Sequence, residues 1–139
     1  MIKMSYAGLS LAIIVTIIIN SVFSLHITDL VIPSFTQQGS TITFYCAYSV
    51  NIAKIAEVDI KWYFGNSPSP FMVFLPHMQT EPQVVDPLLR EKLVFPPGWE
   101  KTGFLMLNTS REDSGLYTCK VSTMTTERIR RKRIIVYSK

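Results

Sequence analysis

The stretch Asp113-Ser114-Gly115-Leu116-Tyr117-Thr118-Cys119 decides the fold, because it sets a tyrosine two residues before a cysteine in an alternating segment. Cys46 is the other cysteine of this 139-residue chain, and Trp62 follows it. Two unrelated thiols and a chance tryptophan are the plain alternative, but chance rarely gives these features in this order. The pattern predicts an all-β domain whose core is built around the two cysteines.

Three segments alternate apolar and polar side chains, which predicts strands with one buried face. They are residues 41–46, 58–64 and 116–122. The first and third carry the cysteines and the second carries Trp62, all in the apolar phase. The side chains expected to point outward from the second and third strands include Lys61, Tyr63, Leu116, Thr118 and Lys120.

The other strands have weaker signals. Residues 27–35 are moderately apolar, but Pro33 lacks a backbone donor, which limits this segment to a sheet edge or to a switch between two sheets. We also expect strands near residues 93–95, 104–107 and 128–137, with exposed loops at 49–57 and 123–127.

Residues 71–75 (Phe-Met-Val-Phe-Leu) are apolar in both phases, whereas a half-exposed strand is apolar on one face. One explanation is that the proline-containing segment 76–87 covers the second face. The other is that Phe71 or Phe74, with its neighbours in the same phase, forms part of a partner-binding surface. Both aromatic residues are therefore candidate partner contacts.

These residues resemble the variable-type immunoglobulin superfamily across residues 27–137. The resemblance implies an immunoglobulin-like β-sandwich in which a Cys46–Cys119 disulfide joins strands B and F. It also implies that Trp62 packs on the bridge and that the Tyr117 hydroxyl turns back to backbone at the E–F corner. The 73-residue separation of the cysteines leaves room for the additional C′ and C″ strands of a variable-type domain.

Asp113 is expected to have a structural role at the base of the sandwich. It is predicted to pair with a cation, for which Arg90 and Lys101 are the candidates, or else to cap the corner turn. Asn108-Thr109-Ser110 just before this corner is an N-glycosylation sequon without a blocking proline. Glycosylation of Asn108 is the prediction, and an unused chance triplet is the alternative.

The N-terminus predicts export. A basic Lys3, an apolar run over residues 9–19 and Val22-Phe23-Ser24 favour a signal peptide over 1–24, with an uncleaved anchor as the alternative. We therefore expect a secreted, single variable-type domain over 25–139 that is not inserted in a membrane. A module of a longer receptor is the competing interpretation.

The basic residues are concentrated in one strand. The chain has 14 basic and 10 acidic residues, and the basic set includes Arg128, Arg130, Arg131, Lys132 and Arg133. Such a run can protect a sheet edge from aggregation, or it can attract sulfated glycans or acidic proteins. It also matches the dibasic cleavage pattern of secretory processing proteases. Nucleic acid is a poor candidate because the protein is expected to be exported.

Catalysis is not expected. His26 and His77 are the only histidines, and no nucleophile–base pair or metal-ligand cluster can be built from neighbouring positions. We predict no enzyme activity and no cofactor.

A narrower resemblance is to the first domain of beaten-path-like proteins, which are arthropod cell-recognition molecules. It depends on Ile32-Pro33, the wide gap from Cys46 to Trp62, and Lys61-Trp62-Tyr63-Phe64-Gly65 followed by an aromatic region ending in Pro76. The resemblance implies binding to a Sidestep-type immunoglobulin receptor in axon guidance. Residues 122–127 and the basic strand after them depart from that family's acidic, proline-containing stretch.

The sequence as a whole predicts a secreted recognition or adhesion domain. It would bind a cell-surface protein through strands C, C′, F and G, with buried aromatic anchors supplying most of the affinity. The alternatives are a glycan-binding or immune-defence factor that uses the basic strand, and the N-terminal module of a longer receptor.

Overall fold

The computed structural model describes residues 24–98 and 103–138. Their strands are β1 (His26–Val31), β2 (Phe35–Gln37), β3 (Ile42–Ser49), β4 (Asp59–Phe64), β5 (Met72–Phe74), β6 (Gln83–Val84), β7 (Leu93–Val94), β8 (Gly103–Met106), β9 (Gly115–Ser122) and β10 (Glu127–Tyr137). Short 3-10 helices occupy Ile52–Glu57, Pro87–Leu89 and Arg111–Asp113.

The strands form two sheets. One has the order β1-β3-β8-β7, and the other has the order β2-β10-β9-β4-β5-β6. Neighbouring strands are antiparallel except β2 and β10, which pair in parallel. The all-β, variable-type sandwich is confirmed, including the additional β5 and β6 after the central strand β4.

Pro33 lies where the N-terminal segment changes sheets. Before it, β1 pairs with β3 of the first sheet, and after it β2 pairs with β10 of the second. Two backbone hydrogen bonds flank the pairing of β2 with β10. The Ile135 N–H donates to the Ser34 carbonyl at 2.9 Å, and the Gln38 N–H donates to the Tyr137 carbonyl at 2.8 Å. The sequence left a sheet edge and a switch between sheets open at this proline, and the structure shows the switch, with β1 and β2 each at the edge of its sheet.

The core lies between the sheets and is aromatic. Cys46 and Cys119 are bonded across the two sheets, and Trp62 lies directly opposite Cys119 in the β4–β9 register. Phe44 contacts Trp62 edge to face at a centroid distance of 5.6 Å and stacks on Phe104 at 4.7 Å. Edge-to-face and offset stacked contacts are the arrangements that the ring quadrupoles favour, and they stabilise the core in addition to the burial of apolar area. This cluster therefore favours one packing of the two sheets.

The apolar run at residues 71–75 is buried mainly from the core side. Phe71 and Phe74 are only 5% and 2% exposed, and Phe71 packs against Phe104 and Tyr117. The segment after β5 pairs beside it in the same sheet through β6, and Val85 N–H donates to the Phe71 carbonyl at 2.8 Å. It does not lie across the second face, where Val73 and Leu75 are half-buried. The assignment of Phe71 and Phe74 as partner contacts was wrong, because core packing already occupies both rings.

The corner before β9 is held by a different cation from those predicted. Lys92 Nζ lies 2.7 Å from Asp113 Oδ2, and the Lys92 carbonyl accepts from Leu107 N–H at 2.7 Å, which fixes the lysine at the start of β7. Arg90 instead is exposed and directs its guanidinium at the Val84 carbonyl. Of the two candidate cations, Arg90 was wrong, and Lys101 lies outside the described residues.

The Tyr117 hydroxyl donates to the Asp113 carbonyl at 2.6 Å, so this tyrosine closes the corner as the family resemblance implied. Its ring is 2% exposed. Burial, with a smaller contribution from the Asp113 charge, raises the pKa of Tyr117 well above its ordinary value. The hydroxyl therefore stays protonated and keeps donating this bond.

Candidate recognition face

The outer face is defined as the side of β4, β9 and β10 that points away from the core. Because cross-strand partners lie side by side, the register builds two short rows across it. Tyr63, Thr118 and Arg131 form the first row, and Lys61, Lys120 and Ile129 form the second. The structure therefore brings together the predicted outward residues of β4 and β9.

A cavity of about 400 Å³ opens on the outer face. The turn at residues 65–67 forms one end of it, and Leu116 contributes to its apolar lining. Its remaining walls come from Tyr63, Thr118, Lys120, Glu127, Ile129 and Arg131. An aromatic ring, an aliphatic side chain and charged groups of both signs are thus available to one bound side chain.

Lys120 is held over this cavity by two neighbours. Its Nζ lies 5.7 Å from the Tyr63 ring centroid and 3.5 Å from Glu127 Oε1. Partial burial lowers the pKa of Lys120, but Tyr63 and Glu127 outweigh it, and the net pKa lies above the ordinary value. The ammonium is therefore charged at neutral pH and is oriented across the aromatic face.

Like charges meet at the centre of the outer face, where Lys61 is directly opposite Lys120. Opposed like charges destabilise a sheet, but here each lysine has a carboxylate of its own. Lys61 Nζ lies 3.7 Å from Asp59 Oδ2, and Lys120 Nζ lies 3.5 Å from Glu127 Oε1. Arg131 is exposed and has no ion pair among the described residues, so it is a cation of the cavity that is open to a partner.

Thr118 faces outward as predicted but is only 7% exposed, because Tyr63 and Arg131 flank it. It forms the floor of the cavity and offers a partner little surface. Glu127 and Ile129 line the same cavity and were not predicted from the sequence. The signal was present, because Ile134 and Val136 fix the inward phase of β10 and leave its odd-numbered residues facing outward.

The basic run is divided between the two sides of β10. Arg131 and Arg133 share the phase of the outer face, whereas Arg128, Arg130 and Lys132 share the phase of the buried Ile134 and Val136. The four arginines are exposed and Lys132 is half-buried. The run is therefore two separate rows of charge.

Asn108 is exposed and has a positive φ of 47° in the turn between β8 and the corner. Asparagine tolerates this left-handed conformation better than most residues, so the turn itself accounts for its presence. Thr109 is buried and donates to the Ser40 carbonyl at 2.9 Å. The sequon thus projects its acceptor into solvent from a fixed backbone.

The part of the chain that the structure describes contains neither a candidate metal-binding cluster nor a helix that could span a membrane. Within residues 24–98 and 103–138, no group of three or more His, Cys, Asp or Glu side chains could hold a metal ion. In the same residues, no helix has the length and hydropathy needed to cross a bilayer.

The two-sheet topology, the strands β5 and β6 beside β4, and the disulfide between β3 and β9 define a variable-type immunoglobulin domain. The family model of the immunoglobulin V-set domain matches residues 33–136, and the chain belongs to this family. A comparison with curated proteins finds no match. V-set domains generally mediate protein–protein interactions and are typically non-enzymatic binding modules, which agrees with an extracellular role in recognition or adhesion.

Proposed function

We propose that this V-set domain is a secreted recognition module that binds another cell-surface protein through the cavity on its outer face. The observation that carries the proposal is the convergence of Tyr63, Ile129 and Arg131, which has no ion pair among the described residues, around one open cavity. Aromatic and arginine side chains dominate binding energy at protein interfaces, above all around pockets that exclude water.

Two features support an extracellular location. The Cys46–Cys119 disulfide is stable in the oxidising conditions of the secretory pathway and outside cells. The predicted signal peptide over 1–24 agrees with it, although residues 1–23 lie outside the described part. Export followed by cleavage after Ser24 remains part of the proposal.

The charges of the cavity indicate the chemistry of the partner. Lys61 and Lys120 are already balanced by carboxylates, so Arg131 supplies the uncompensated charge beside Tyr63. We expect the partner to insert an acidic or hydrogen-bond-accepting side chain next to an apolar one. The sequence resemblance to beaten-path-like proteins supports a finer proposal, a Sidestep-type immunoglobulin receptor in neuronal guidance.

The test is a binding screen of the secreted full chain, presented as a multimer, against a panel of immunoglobulin-type receptor ectodomains that includes Sidestep-type receptors. For any receptor bound, Tyr63→Ala and Arg131→Gln should each weaken binding about tenfold or more, as interface anchors do. Tyr45→Ala and Arg111→Gln are matched controls, because both residues are exposed away from the outer face.

Equal losses in the control variants would place the binding surface elsewhere. Unchanged binding in Tyr63→Ala and Arg131→Gln, with both variants folded, would exclude this cavity as the recognition site. Binding to a receptor outside the Sidestep type would retain the general proposal and reject the finer one.

A further inference from the structure

Most of β10 is a sheet edge. On one side β9 pairs with Glu127–Ile134, and on the other side β2 pairs only with Ile135–Tyr137. Among the described residues, the segment 127–134 therefore has no strand on its second side. The basic residues lie on this open segment.

The edge row is defined as Arg128, Arg130 and Lys132. Alternate residues of a strand lie about 6.6 Å apart on one side, so the row is a straight line of three cations about 13 Å long. None of the three forms an ion pair among the described residues. The opposite phase of the same segment has only two cations, Arg131 and Arg133, and it begins with Glu127 and Ile129.

Protection of the edge does not require this arrangement. A single lysine or an inward charge is enough to discourage pairing with another strand. Three uncompensated cations in line repel one another. A bound chain of negative charges removes that repulsion.

We propose that the edge row is a binding site for a sulfated glycosaminoglycan. The row is linear, as the ligand is, and guanidinium groups make paired hydrogen bonds to sulfate and carboxylate oxygens. Its members are all cationic, with no aromatic or aliphatic side chain among them. In an oxidising extracellular compartment, sulfated glycans are the linear polyanions that such a row can meet.

The glycan site is separate from the cavity of the outer face. The edge row has the phase of the buried Ile134 and Val136, whereas Arg131 and Ile129 line the cavity from the other phase. A receptor and a glycan can therefore occupy the domain together. The two proposals share only the extracellular location, so either one can fail alone.

The experiment measures the affinity of the full chain, expressed through the secretory pathway, for heparin at increasing salt. We expect binding that weakens steeply with salt and that falls about tenfold in the Arg128→Gln/Arg130→Gln variant. The matched control Arg90→Gln/Arg111→Gln removes the same charge from exposed positions elsewhere and should change affinity less than twofold.

Three outcomes would overturn the proposal. The first is a wild-type protein that does not bind heparin, and the second is an equal loss of heparin affinity in the control variant. The third is an equal or larger loss of heparin affinity in Arg131→Gln/Arg133→Gln, which would place the polyanion on the outer face. Desulfated heparin and poly-glutamate test the ligand class. Binding of poly-glutamate as tightly as heparin would replace the glycan with an acidic protein segment.

Discussion

The ammonium of Lys92 and the carboxylate of Asp113 meet at 2.7 Å, joining the start of β7 to the corner that leads into β9. The same Asp113 oxygen accepts from the Ser110 backbone N–H, also at 2.7 Å. Both side chains are largely shielded, with exposed fractions of 25% and 13%. The pair therefore ties the base of one sheet to the other through a group that also caps the corner turn.

Replacing Lys92 by methionine should lower the free energy of unfolding by about 1 to 2 kcal/mol, since Asp113 loses a charged donor in a partly shielded site. Urea denaturation measures the change. Arg90→Met is the control, because this exposed arginine does not reach Asp113, and it should stay within about 0.5 kcal/mol of the wild type. An equal loss in both variants would show that the ion pair contributes nothing specific.

The disulfide closes a long loop and should contribute strongly to stability. For a separation of 73 residues, loop-closure entropy predicts a loss of about 4 kcal/mol in the Cys46→Ala/Cys119→Ala variant. Denaturation of the wild type under reducing conditions should give a similar loss. A reduced protein as stable as the oxidised one would contradict this prediction.

Tyr117 should make stability fall at alkaline pH. Its pKa is raised by burial and by Asp113, so the unfolded chain loses the phenol proton first, from about pH 10 upward. The stabilisation is therefore complete below pH 10 and is lost progressively as the pH rises from the unfolded pKa toward the raised pKa of the folded protein. Tyr117→Phe should reduce this slope, and Tyr48, whose pKa is also raised by burial, should retain part of it.

At neutral pH the same Tyr117→Phe change should cost about 1 kcal/mol, because the hydrogen bond to the Asp113 carbonyl is lost. The exposed Tyr137 provides the control variant, Tyr137→Phe, in which neutral stability should be unchanged. If Tyr117→Phe keeps the full alkaline slope, the titrating group lies elsewhere.

Asn108 should carry a glycan when the chain is secreted from eukaryotic cells. Asn108→Gly removes the acceptor while keeping a residue that accepts the positive φ, so it should abolish the mass shift on glycosidase treatment without unfolding the turn. Ser110→Thr retains the sequon and should keep the shift. A wild type whose mass does not shift on glycosidase treatment would leave the residue with its turn role alone.

The strands around the cysteines could be predicted because apolar residues alternate with polar ones along them, which gives the sequence a period of two. Pro33 was informative as well, since its missing donor limited this segment to a sheet edge or a switch between sheets. Phe71 and Phe74 were misassigned because residues 71–75 are apolar in both phases, so the sequence does not show which side chains point to the core. In the structure Phe74 faces the core within β5, and the ring of Phe71, just before β5, packs into the core as well.

The ion pair and the cavity depend on proximity between distant parts of the chain. Lys92 and Asp113 are 21 positions apart, and the sequence analysis considered only Arg90 and Lys101 as cations for Asp113. The signal for Lys92 was its position directly before the apolar Leu93-Val94 strand. Within β10, the alternation counted back from Ile134 is enough to separate the edge row from Arg131 by sequence alone.

The parallel pairing of β2 with β10 has a mechanical consequence. Tension that enters the domain before Phe35 and leaves after Tyr137 pulls these two strands in opposite directions along their length. The hydrogen bonds from Ile135 to Ser34 and from Gln38 to Tyr137 are then loaded at the same time and break together. In an antiparallel pair pulled apart from one end, the hydrogen bonds would break one after another. The pairing of β2 with β10 should thus resist stretching, and single-molecule pulling of the wild type and of a variant with weakened β2–β10 pairing would measure its strength.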